Sequence, residues 1–180
     1  MAHTGNPDRT GEAAPMPIAQ SDDEAAEMAI VAVGNQIMGD DGVGAAIIEA
    51  LEAGAVGERL DVTLANGGTT AFFALEAMSG CDRAIVVDAI ATGAEPGTVQ
   101  TYRYVDGAFR EDIPEMTMHD FSFAEALRAG REAYEIPPDV LIYGVEPKRV
   151  EMSMELSEPV AAAVPTVVSL IEDELPEPPT

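Results

Sequence analysis

Residues 29–51 read AIVAVGNQIMGDDGVGAAIIEAL, and this stretch decides the fold. Its first five residues, Ala29, Ile30, Val31, Ala32 and Val33, are continuously apolar and partly β-branched, the pattern of a short strand covered on both faces. Gly34-Asn35 ends the run and a loop of residues 36–39 follows. Asp40-Asp41-Gly42 then opens a segment in which Val43, Ile47, Ile48 and Leu51 recur at helical spacing. The unit is strand, loop, helix, with two carboxylates at the helix mouth. In an open α/β sheet ligands bind in the crevice beyond the carboxyl ends of the strands, which makes both acids candidates for a site. An aspartate there is also favoured as a cap and by the helix dipole, so position alone leaves a structural reading open beside the functional one.

The chain has 180 residues, room for one domain with a proper core and too few for two. Its hydrophobic fraction of 47% suits a soluble globular protein. No apolar run approaches the ~20 residues of a membrane-spanning helix. The N-terminus shows no basic region followed by an apolar core, so the expectation is a cytoplasmic protein without a membrane partner. Thirty-three acids against nine bases give a formal net charge of −24, and Lys148 is the sole lysine. Nucleic acid should be repelled. Self-repulsion of this size destabilises a compact state at low salt, whereas abundant counterions screen it within a few ångströms. The charge therefore predicts a high-salt cytoplasm. On that expectation the unfolding midpoint rises with salt into the molar range; full stability in dilute buffer, with no gain from salt, would mark an acidic protein of an ordinary cell. Cys81 is the only cysteine, which excludes an internal disulfide and any cysteine-clustered metal site. It stands before Asp82-Arg83 at the entrance to an apolar strand, where a packing role is favoured over a nucleophile.

Residues 1–27 mix Gly, Pro, Ser, Thr and acids without apolar period and read as a disordered acidic leader that includes His3. The folded domain is expected over 28–175, with 176–180 as a frayed tail. Strands are predicted over 59–65, 83–90, 98–105 and 140–145, and helices over 70–78, 123–130 and 158–174. A core face accounts for Phe72, Phe73, Leu75 and Met78 on the second helix. Pro165 lies inside the last helical pattern and predicts a kink or a later start. Asp88, near the end of an otherwise apolar strand, needs a reason to be there. Burying a carboxylate costs several kcal/mol unless it is paired, hydrogen-bonded or metal-bound, and no adjacent base is available. The connection 91–97 is too short for a parallel crossover, so the fourth strand should run antiparallel to the third. The expected fold class is α/β: one three-layer domain with a five-stranded, mostly parallel twisted sheet, one antiparallel edge strand and helices on both faces.

His119 is the one histidine of the predicted folded body, at a loop-to-helix junction where a surface or capping role is the ordinary one. Its context adds another reading. Asp41 follows the first strand, Asp88 ends the third, and His119 precedes a helix that should return to the same sheet end. Two carboxylates and an imidazole over one crevice suit a borderline divalent ion such as zinc, nickel or iron(II). A serine triad is disfavoured because no G-x-S-x-G elbow exists. The glycines 34, 39, 42 and 44 have the wrong spacing for a dinucleotide fingerprint. An acid–base carboxylate pair stays open, although Asp40 and Asp41 are sequential and should point apart at a helix start.

GNQIMGDDGVG, NGGT, VVDAI, MHDFSF and IYGVEP, in that order, resemble the hydrogenase maturation proteases over about residues 29–175. The first motif is fairly specific; the other four carry weight through their order and spacing. The resemblance implies an endopeptidase that removes the C-terminal extension of a nickel-iron hydrogenase large-subunit precursor once nickel has been inserted. It also implies that Asp41, Asp88 and His119 are the metal-contacting and catalytic residues. The nickel would be carried by the precursor, with zinc or another divalent ion able to substitute, and a monomer is the expectation. One departure stands out: the family commonly has Asp-Gly-Gly where this chain has Asn66-Gly67-Gly68. If that acid only shapes the turn, Asn replaces it without loss. Two other classes stay open: a non-proteolytic metal-checking chaperone or binding partner of a hydrogenase-like subunit, and an unrelated small-molecule α/β hydrolase.

Overall fold

The computed structural model of the chain describes residues 28–110 and 123–177. The expected leader, His119 and the last three residues lie outside these. The apolar opening of the first motif forms β1 (Met28–Ala32), in which every residue is buried. After the loop and a 3₁₀ turn over Gly39–Gly42, α1 (Val43–Glu52) buries Val43, Ile47, Ile48 and Leu51, the residues whose spacing predicted it. There follow β2 (Val62–Asn66), α2 (Ala71–Met78), β3 (Arg83–Ala89), β4 (Val99–Val105), β5 (Ala108–Phe109), α3 (Phe123–Gly130), β6 (Asp139–Val145) and α4 (Glu158–Glu174).

The strands form one sheet in the order β2-β1-β3-β6-β4-β5. β2, β1, β3 and β6 are mutually parallel, and β4 runs antiparallel beside β6. Period-two alternation divides the core into two layers. Ile30, Ala32, Ile85, Val87, Leu141 and Tyr143 face α1 and α4. Ala29, Val31, Ala84, Val86, Val140 and Ile142 face α2 and α3. The three-layer α/β expectation holds, with four corrections of detail.

The sheet has six strands rather than five. Asp106 and Gly107, both at positive φ, turn the chain back so that β5 pairs with β4. An Asp-Gly turn after a strand is a recognisable hairpin signal that the strand prediction, which stops at 105, does not use. The antiparallel strand is consequently not at the edge, and β6 lies between it and β3. The short connection does reverse the chain, but β6 takes the place beside β3 because its seven residues continue the parallel ladder from Arg83↔Asp139 to Ala89↔Val145. Finally, α2 buries Ala74, Leu75 and Met78, while Phe72 and Phe73 are 43% and 61% exposed, so the core face omits both phenylalanines. α4 starts at Glu158 and continues past Pro165, so the proline does not delay the helix. Among the described residues no helix is long and apolar enough to cross a membrane.

Candidate active site

β1 passes through α1 on one face to β2, and β2 passes through α2 on the other face to β3. The chain therefore leaves in opposite directions beyond the carboxyl ends of β1 and β3, which creates a topological switch point. The Val33 amide still donates to the Val87 carbonyl at 2.9 Å, after which the two backbones separate. Asp88, the next residue of β3, stands at this opening.

On the β1 side, the loop folds back on the 3₁₀ turn. Gly34 sits at φ 129°, and a Cβ there would lie 2.0 Å from the Asp41 carbonyl oxygen. Only glycine allows so close an approach. Asp41 Oδ2 accepts a 2.8 Å hydrogen bond from the Asn35 amide, which anchors the carboxylate over the loop. Asp41 and Asp88 face one another electrostatically: burial, and after it the charge of Asp41, push the Asp88 carboxyl well above the usual carboxylate range. A hydrogen bond from the Ala89 backbone offsets this only in part. Two acids brought this close form a donor set whose mutual repulsion a divalent cation would relieve. Among the described residues no three His, Cys, Asp or Glu side chains are grouped to hold a metal. Asp41 and Asp88 are thus brought to one crevice, and the third expected member, His119, falls outside the described residues. It precedes α3 by four positions, and α3 packs on the sheet face toward which the Asp88 register points.

Asp40 and Asp41 diverge as expected. Asp40 is fully buried and accepts four hydrogen bonds. Its Oδ1 takes the Ser157 amide at 2.6 Å; its Oδ2 takes the Ser157 hydroxyl at 2.8 Å and the Lys148 and Arg149 amides at 2.8 and 2.9 Å. Burial raises its pKa, yet these bonds together hold it below the ordinary value. Ser157 stands at the N-cap position of α4, so Asp40 also places a negative charge at the positive end of that helix. Glu146, in the IYGVEP motif, has a parallel role. It accepts the Thr92 amide and hydroxyl, both at 2.8 Å, and the Gly93 amide at 3.1 Å, which pins the β3–β4 connection. Neither role was visible in the linear motif, because the partners lie 53 to 117 positions away. Asn66 Oδ1 accepts the Gly68 amide at 3.0 Å, a turn-closing role that Asn and Asp share. Burial, reinforced by Asp82, raises the Cys81 thiol pKa, in keeping with packing rather than nucleophilic use.

The family model for hydrogenase maturation proteases matches residues 45–174. The chain belongs to this family. It is similar to the hydrogenase 2 maturation protease of Escherichia coli strain K12, 30% identical over 152 residues, which cover 81% of this chain and 84% of that one. It is also similar to the hydrogenase expression/formation protein HupD of Rhizobium leguminosarum bv. viciae, 28% identical over 140 residues, 77% of this chain and 69% of the relative. Among solved structures, the hydrogenase maturating endopeptidase HybD from E. coli superposes with a TM-score of 0.64 at 26% identity, covering 81% of this chain and 89% of that one. The maturation protease HycI from Thermococcus kodakarensis KOD1, at 21% identity and a TM-score of 0.60, covers 82% and 91% and is a likeness of fold alone. The matched stretch of the family model takes in Asp88, Glu146 and the position of His119, and begins four residues after Asp41.

Proposed function

We propose that this family member removes the C-terminal extension of a nickel-iron hydrogenase large-subunit precursor, and that it does so after reading the nickel already seated there. The observation that carries the proposal is the juxtaposition of Asp41 and Asp88 at the switch point, with Asp88 held reluctant to ionise by burial and by the charge of Asp41. Such a pair gains most from a cation delivered with the substrate, and His119 would supply a nitrogen donor to the same ion. A precursor lacking nickel would meet two mutually repelling carboxylates instead, so differential affinity favours the completed subunit. The nickel belongs to the substrate in this reading. Zinc or another divalent ion of similar ligand preference can occupy the same donors.

Within the chain, Asn35 holds Asp41 by its amide, Gly34 permits that approach, and the β3–β6 register, which pairs Asp88 with Gly144, fixes Asp88. These residues orient the acids before substrate arrives, so the ordering cost is met in folding. The bound ion would polarise the scissile carbonyl or activate water.

The test is incubation with a nickel-loaded large-subunit precursor, its mass followed. A loss equal to the C-terminal extension, absent with the nickel-free precursor and absent in His119→Ala that retains the wild-type melting temperature, is the expected result. Binding without mass loss would identify a metal-checking chaperone instead. Processing by His119→Ala would remove that residue from the mechanism.

A further inference from the structure

The charged and apolar residues of the surface are unevenly distributed between the two ends of the sheet. Arg59 pairs with Asp61 ahead of β2, Arg83 with Asp139 and Glu174, and Arg103 with Asp139, all toward the amino ends of the parallel strands. Arg128 lies over Phe109 and Arg131 reaches the Gly107 carbonyl, near the β4–β5 hairpin at that same end. Among the described residues, Lys148 and Arg149 alone bring positive charge to the loops at the carboxyl ends, where the crevice opens. Of the large apolar side chains exposed among the described residues, only Leu60 belongs to the amino end. Ile37, Val150, Met152, Met154 and the two phenylalanines of α2 lie on the crevice side, with Met152 and Met154 85% and 82% exposed.

The methionines are displayed on a braced segment. The Gly39 amide donates to the Ser153 carbonyl at 2.7 Å, the Ser153 amide to the Ile37 carbonyl at 3.0 Å, and the Asp40 amide to the Arg149 carbonyl at 3.1 Å. With the bonds to the Asp40 carboxylate, loop 147–157 and the turn carrying Asp41 form one cross-tied unit. A rigid backbone presenting flexible, polarizable side chains is suited to gripping another protein's apolar surface. Within loop 147–157 Lys148 and Arg149 match Glu151 and Glu155, so the loop's own charges balance on a molecule of net charge −24.

We propose that Ile37, Lys148, Met152 and Met154 form the docking surface for the folded body of the precursor, receiving an apolar face that carries an acidic side chain for Lys148. The proposal rests on the proteolytic reading for the identity of the partner. Here an acidic partner escapes the repulsion it meets elsewhere on the surface. Docking on the unit that holds Asp41 registers the scissile segment against the crevice.

The test measures the affinity of the nickel-loaded precursor, extension intact, for the full chain by titration calorimetry, with cleavage read separately by mass. Met152→Gln/Met154→Gln should weaken Kd by at least about tenfold, as loss of a central apolar anchor does. Lys148→Glu should weaken it also, with an effect that shrinks as salt is raised. Leu60→Gln, at the opposite end, should leave Kd unchanged. An unchanged Kd in the double methionine variant would overturn the proposal. So would a wild-type dimer that the same variant dissociates on sedimentation, because the patch would then be an interface between copies of the chain. Tight, methionine-dependent binding without cleavage would sink the proteolytic reading and leave the docking surface standing; cleavage with methionine-independent affinity would do the reverse.

Discussion

An Asp88→Asn variant is expected to lose precursor cleavage by roughly a thousandfold, the scale on which removal of one preorganised charge-stabilising group is felt in an active site, and yet to melt at a higher temperature than the wild type when no metal is present. Asparagine keeps the shape of the side chain and removes the charge. Burial and the neighbouring Asp41 raise the folded pKa of Asp88 above that of an unfolded aspartate, about 3.9. The native protein therefore holds this proton more tightly than the unfolded chain. Ionised Asp88 destabilises the fold; the penalty is absent below about pH 4, grows as pH rises, and is complete above the folded pKa. The stability gain of the variant should follow that course, vanishing in acid and growing as pH rises until the folded pKa is passed. Thermal melts across pH, alongside the mass-based cleavage assay, measure both halves. A variant less stable than the wild type at neutral pH would show that the Asp88 charge is compensated in the free protein and would remove the argument for cation recruitment.

Asp40→Asn is expected to act in the opposite sense, lowering stability at neutral pH by about 3–4 kcal/mol. The carboxylate meets four donors, and an amide in its place offers one oxygen and turns an NH₂ toward either the Ser157 amide or the cluster of Lys148, Arg149 and the Ser157 hydroxyl. Either orientation leaves donor facing donor. Here the folded pKa is depressed, so the stabilisation is present above the unfolded value near 4 and is lost as pH falls through the folded value. The gap between wild type and variant, read as urea midpoints, should narrow on acidification. Because Asp40 ties the Asp41 turn to loop 147–157, the variant should also process precursor more slowly at temperatures where it remains folded. Equal midpoints at neutral pH would mean that water replaces the lost acceptor.

Asp40 and Asp41 are neighbours in the chain and alike in composition, and they divide between the two predictions above. That division shows what a linear reading can and cannot reach. Adjacent residues at a helix start point apart, which the sequence states. Which of the two turns inward depends on a loop more than a hundred residues away, folded over the turn by contacts that no local pattern encodes.

By itself, the order of residues determined every strand and helix except β5, and their sequence, because strand and helix periods, the Asn66-Gly67-Gly68 turn and the apolar run ending in Asp88 are dictated by neighbours within a few positions. It determined as well that two acids emerge beyond parallel strands. Tertiary structure decided the rest: the insertion of β6 between β3 and β4, the exposure of Phe72 and Phe73, the conversion of Asp40 and Glu146 into buried clamps, and the gathering of Met152, Met154 and Lys148 beside the crevice. These depend on which distant surfaces pack together. The free energy of such packing belongs to pairs of segments and not to either segment alone.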